Sequence, residues 1–119
     1  VGEVAIKRVY EPPSEEDGRR YLVDRLWPRG VTKKAAALAG WLKDAAPSVE
    51  LRLWYGHDSV RYEEFRRRYY AELLTRPEII RFLREEARSG KLTLVFAAKD
   101  GAHSHAQALK DFLDAEIKA

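Results

Sequence analysis

The chain has 119 residues, 45% hydrophobic and 34% charged, which suits one globular domain over 1–119 and leaves too little chain for a second core. It has no cysteine, so disulfides, thiolate nucleophiles and cysteine-based zinc sites are excluded. The net charge of +3 is a modest basic excess, no apolar run approaches the roughly 18 residues that cross a bilayer, and the opening residues lack the pattern of a secretory leader; the expectation is a cytoplasmic protein with no membrane partner.

In chain order, Val4 to Val9 mixes β-branched and basic residues and predicts a first strand, followed by an acidic loop at Pro12-Pro13. Tyr21 to Trp27 predicts a second strand, stopped by Pro28, with Gly30 supplying a turn. Thr32 caps a short alanine-rich helix through Leu38, and 39–44 reads as a short third strand. Ser48 caps a helix over Val49 to Tyr55 that stops at Gly56, and Asp58 or Ser59 caps a longer one to about Leu74, with Tyr62, Phe65, Tyr69 and Leu73 on one face. Thr75-Arg76-Pro77-Glu78 has the capping-box pattern and opens a helix that ends at Ser89-Gly90. A last strand begins at Leu92, and a final helix buries Leu109, Phe112, Leu113 and Ile117. Strands separated by helices predict an α/β fold, a Rossmann-like three-layer arrangement around a small, mostly parallel sheet of about four strands.

The richest segment for chemistry is Leu92 to His105, a buried strand that breaks into a polar turn and restarts as a helix at Ser104-His105-Ala106-Gln107. Ligands of open α/β sheets bind at such places, at the carboxyl end of a strand beside a helix N-terminus. Lys99, Asp100, Ser104 and His105 are therefore candidates, with His105 and Asp100 as proton-handling groups. Against this stands a plain reading in which Ser104 only caps the helix and His103 and His105 are loop residues. Asp24-Arg25-Leu26-Trp27-Pro28-Arg29-Gly30 supplies the second group: Asp24 needs a partner if buried, most simply Arg8 or Arg25, and Arg25 or Arg29 could fork onto a carboxylate or phosphate. A metal site on His57, His103 and His105 would require a non-helical turn at His103, and no metal is assigned. Arg66-Arg67-Arg68 suggests nucleic acid, but Glu63 and Glu64 stand four positions before Arg67 and Arg68 and favour a solvated, salt-laced helix face. Trp41, Trp54 and Tyr69 are expected in the core rather than on a base-stacking platform.

Together, Ile6 to Tyr10, Asp24 to Gly30, Trp41-Leu42-Lys43, Ala46-Pro47-Ser48, Leu51-Arg52 with Gly56-His57-Asp58, Ala97 to Asp100 and His105-Ala106 resemble the YeaO-like family of small bacterial and archaeal proteins. The resemblance spans nearly the whole chain and implies a fold without a reaction; the regulator label sometimes given to that family finds no helix-turn-helix pattern here. A weaker similarity extends to larger proteins with a Val-Asp-Val-Arg strand and a Cys-His-Arg motif, whose places are taken here by Leu22 to Arg25 and Ser104-His105-Ala106. The Cys and the final Arg are absent, so the resemblance carries over neither the thiol chemistry nor the anion clamp of the larger proteins, and what it implies is Asp24, Arg25, Arg29, Lys99, Asp100 and His105 as the residues that distinguish the family beyond packing.

The leading expectation is a pocket at the strand ends for a small phosphorylated or carboxylated ligand, in an enzyme or a binding protein; the alternatives are a nucleic-acid-associated protein and a protein-interaction module. No cofactor, substrate or oligomeric state is legible.

Overall fold

The computed structural model describes residues 2–118, with side chains through residue 115, so the side chain of Ile117 lies outside the described ones. Four parallel strands, β1 (Glu3–Arg8), β2 (Arg19–Leu22), β3 (Gly40–Trp41) and β4 (Lys91–Phe96), form one sheet in the order β1-β4-β2-β3. β4 lies between β1 and β2, pairing Ile6 with Leu94 on one side and Tyr21 with Leu94 on the other. Every β4 residue after Lys91 is buried, as an apolar run covered on both faces requires. The α/β expectation with about four parallel strands is met.

Alternation along the strands sorts residues between two unequal layers. Val4, Tyr21, Leu92, Leu94 and Phe96 pack against α2 (Val49–Tyr55), α3 (Tyr62–Leu74), α4 (Pro77–Ser89) and α5 (His105–Lys118). Leu22 and Val95 face the other way, onto Ala36 of α1 (Lys33–Ala36) and onto Trp27, Val31, Leu38 and Trp41. Aromatic rings knit the thicker layer: Tyr55 stacks on Phe65 at 4.3 Å, and Phe65 on Tyr69 at 5.8 Å. Tyr69 is fully buried and Trp41 partly so, while Trp54 is half-buried with the Arg68 guanidinium 4.1 Å from its ring.

The second strand is shorter than the sequence suggests. Its ladder continues one step, with Val23 N–H donating to the Val95 carbonyl at 3.0 Å, and then the Asp24 carboxylate accepts from Ala97 N–H at 3.0 Å. A side chain thus takes the place of the backbone carbonyl, the ladder ends, and 23–27 leaves the sheet as a loop rather than as strand. The charged residue actually embedded in β2 is Arg20, only 4% exposed. Its guanidinium meets Asp17 at 2.7 Å and donates to the Ala36 carbonyl. Asp17 sits in a 3-10 turn (Glu15–Asp17) whose exit, Gly18, has φ 65° and would bring a Cβ to 2.4 Å from the Lys91 carbonyl, so glycine is required there.

Most helix boundaries follow local chemistry. Ser48 Oγ accepts from Leu51 N–H at 3.1 Å, and Gly56 ends α2 in the left-handed region. Asp58 caps a 3-10 turn (Ser59–Arg61) that leads into α3. The capping box expected at Thr75 does not form: Thr75 Oγ1 donates back to the Glu72 carbonyl at 2.6 Å, and α4 starts on Pro77 without a side-chain cap. At α5 only half of the box is made, Ser104 Oγ accepting from Gln107 N–H at 3.1 Å while the Gln107 amide turns to Asp111.

Candidate functional site

The chain leaves β2 toward α1 on one face of the sheet and leaves β4 toward α5 on the other, so the carboxyl ends of these neighbouring strands part. Such divergence opens a crevice. Here it is a cleft of about 560 Å³ bounded by Asp24, Arg25 and Leu26 after β2, Ala46 and Pro47 after β3, Ala97 to Asp100 after β4, and Arg52, Tyr55 and His57 from the α2 side. Phe65, Ser104 and His105 complete its lining.

Its walls are firmly held. The Tyr55 hydroxyl donates to the His103 carbonyl at 2.6 Å and the Tyr62 hydroxyl to the Ser104 carbonyl at 3.0 Å, which ties the turn before α5 to α2 and α3. Burial, reinforced by Asp100 and Asp58, pushes the Tyr55 phenol above its ordinary pKa, so it remains a neutral donor. Arg8 donates to the carbonyls of Ala98 at 2.8 Å and Ala97 at 3.2 Å and fixes the segment after β4. Trp41 Nε1–H donates to the Asp24 carbonyl at 2.7 Å.

Asp24 and His105 meet at the bottom of this arrangement. His105 Nε2 lies 3.0 Å from Asp24 Oδ1 and 3.1 Å from the Val23 carbonyl. The ring N–H serves the carbonyl, and Oδ1 is buried with no hydrogen bond among the described residues. Both neighbours of Nε2 are acceptors, so that nitrogen carries a proton. Asp24 therefore pairs with neither Arg8 nor Arg25, the partners its sequence suggested. Asp100 is also engaged: Oδ2 lies 2.7 Å from His103 Nδ1, and that hydrogen bond holds its carboxyl below the ordinary range.

The cations stand differently. Arg25 makes only long contacts of 3.3 and 3.4 Å to the Pro47 carbonyl, and among the described residues Arg52 and Lys99 have no hydrogen-bond or ion-pair partner. The cleft's carboxylates thus turn to Ala97 N–H, through Asp24 Oδ2, and to His103, through Asp100, whereas its three strong cations lack a carboxylate.

Of the residues singled out in the sequence, Asp24, Arg25, Lys99, Asp100, Ser104 and His105 come together here. Arg29 does not line the cleft; its carbonyl accepts from the Tyr10 hydroxyl at 3.1 Å. Sequence reasoning gave no site role to Arg52, which entered only through the family resemblance, or to Tyr55 and Phe65, which read as ordinary helix residues, and it considered His57 only for the metal site that was not assigned. The only local signal at that corner is backbone: His57 has φ 59°, directly after Gly56 at 55°, two successive left-handed residues. His103 turns to Asp100 and Tyr62, and among the described residues no group of three or more histidines and carboxylates gathers as a metal site. The arginine run on α3 is spent on neighbours, Arg67 and Arg68 on Glu64 and Arg66 on Glu63 and Asp111. No described helix is long and apolar enough to cross a membrane.

Fold and cleft define an α/β protein with a parallel four-stranded sheet and a partly basic crevice at its carboxyl edge. The chain belongs to the family described as the inactive DUF488-N3 subclade, whose model matches residues 3–119. It is similar to the uncharacterized protein YeaO of Escherichia coli (strain K12), with 43% identity over 110 residues covering 92% of this chain and 96% of the relative. It is also similar to the uncharacterized protein Mb3100c of Mycobacterium bovis, with 41% identity over 111 residues covering 93% of each. The YeaO-like resemblance is thereby shown. No solved structure matches the chain.

Proposed function

We propose that the cleft binds a small anion, carboxylated or phosphorylated, and that this cytoplasmic protein acts by binding rather than by turnover. The observation that carries the reading is the imbalance of partners: Arg25, Arg52 and Lys99 face one cleft without a carboxylate, while Asp24 and Asp100 are already engaged. Arg25 and Arg52 suit a planar or tetrahedral anion because guanidinium presents paired donors, and Lys99 adds a mobile point charge. His105 and Asp100, the two proton-handling candidates, are assigned to orienting the ligand, in keeping with a family described as inactive. Ser104 keeps its capping role at the start of α5 and shapes the cleft without donating to the ligand.

The test is a thermal-shift titration with acetate, inorganic phosphate and sulfate at constant ionic strength, on the natural chain and on Arg52→Gln and Lys99→Gln. A ligand bound only by the folded state at 100 times its Kd stabilises by about 2.7 kcal/mol. The expected result is saturable stabilisation by at least one anion that either substitution weakens. Stabilisation that both variants retain in full, or none with any anion, overturns the reading.

A further inference from the structure

We infer that the ligand is an amphiphilic monocarboxylate, an apolar aromatic or aliphatic body carrying one carboxylate; this rests on the anion reading above and narrows it. Three observations converge. The first is size: about 560 Å³ lies within the roughly 300–1,000 Å³ of small-molecule sites, and an isolated phosphate or acetate would leave most of it uncovered. The second is the wall. Leu26, Ala97 and Ala98 present apolar surface, backed by the buried Ala46, Pro47 and Phe65, and such surface stabilises a ligand in proportion to the apolar area it removes from water.

The third is polarity. The Tyr55 hydroxyl is spent on the His103 carbonyl, Ser104 Oγ on Gly101 and Gln107, and the Asp100 carboxylate on His103. The uncommitted polar groups of the rim are therefore chiefly cationic donors, Arg52 and Lys99 with Arg25 beside them. A sugar or nucleotide carries many hydroxyl donors, of which the single open carboxylate oxygen, Asp24 Oδ1, could serve only one or two, and the rest would be buried at the cost of their desolvation. A carboxylate only accepts and needs none. Among the arginine, lysine and aspartate side chains of the cleft, three cations against two carboxylates leave one net positive charge, which balances a monoanion and under-compensates a phosphate dianion.

The experiment is calorimetric titration of the whole chain with 4-phenylbutyrate, its neutral amide, acetate and inorganic phosphate, repeated on Arg52→Gln and Leu26→Ser. Both substituted residues are exposed, so neither change disturbs the core. The expected pattern is about tenfold or more tighter binding of phenylbutyrate than of acetate, since each buried methylene contributes substantially. The amide and Arg52→Gln each lose about tenfold, as removal of one charge-assisted contact would cause. Leu26→Ser weakens phenylbutyrate and leaves acetate unchanged. Phosphate or acetate binding as tightly as phenylbutyrate overturns this inference while the anion reading stands. Equal binding of amide and carboxylate, or no binding by any of the four, overturns both.

Discussion

Arg20 and Asp17 form the most deeply buried ion pair among the described residues, and its surroundings explain how a sheet can hold it. Burial by itself would push the Asp17 carboxyl up, but hydrogen bonds from Ser14 N–H, Lys7 and Arg20 more than offset this and hold it below its ordinary value. The folded state therefore favours the carboxylate. The resulting stabilisation is fully present above the unfolded pKa of about 3.9 and is lost as pH falls through the lower folded value. Asp17→Asn should cost about 3–5 kcal/mol near neutrality, because it strands a buried guanidinium, and the gap to the natural chain should narrow below about pH 4. Chemical denaturation of both proteins across that range checks it. Ala37 makes a complementary case: it ends α1 with φ 49°, a left-handed conformation that costs a non-glycine residue roughly 1 kcal/mol. Since its side chain is exposed, Ala37→Gly should raise stability by about 0.5–1 kcal/mol in the same measurement.

Among the elements, α2 best shows local and tertiary chemistry agreeing. Ser48 caps it, and the same residue gives its N–H and hydroxyl to Glu72 of α3 at 2.8 and 2.6 Å. The cap was plain in the sequence, while the clasp to Glu72 depends on how two helices lie together. Ser48→Ala removes the cap and the hydroxyl half of the clasp, and should cost about 1–2 kcal/mol by thermal or denaturant unfolding. The failed box at Thr75 teaches the converse. Two helices follow each other so closely there that the preceding one claims the hydroxyl, and Pro77, which has no N–H to cap, starts α4 unaided.

For the whole molecule, the sheet order sets a gradient of stability. β4 is central and covered on both faces, whereas β3 is a two-residue edge strand and α1 a single short turn. Native-state hydrogen exchange should find β4 amides the slowest, opening near the global unfolding free energy, and the 32–41 segment among the fastest. Uniform protection across both would contradict this order. The cleft lies at the carboxyl ends of the protected strands, so its β4 wall rests on the most stable part of the fold.

Alternating apolar residues, caps and stops are short-range signals, and they were enough to determine the α/β class and the bounds of α2, while residue chemistry and the family resemblance made Asp24, Arg25, Lys99, Asp100 and His105 candidates that the fold gathers around one cleft. Only tertiary structure decided that β2 ends at Leu22, because the Asp24 carboxylate reaches across to Ala97 in place of a carbonyl. It also decided that Asp24 lies against His105 rather than an arginine, that Arg29 stays outside the cleft, and that Arg52, Tyr55 and Phe65 enter it. The reason is physical: a residue's type and spacing fix what it can do, while its partner is fixed by which chain segments the sheet order brings within hydrogen-bond distance.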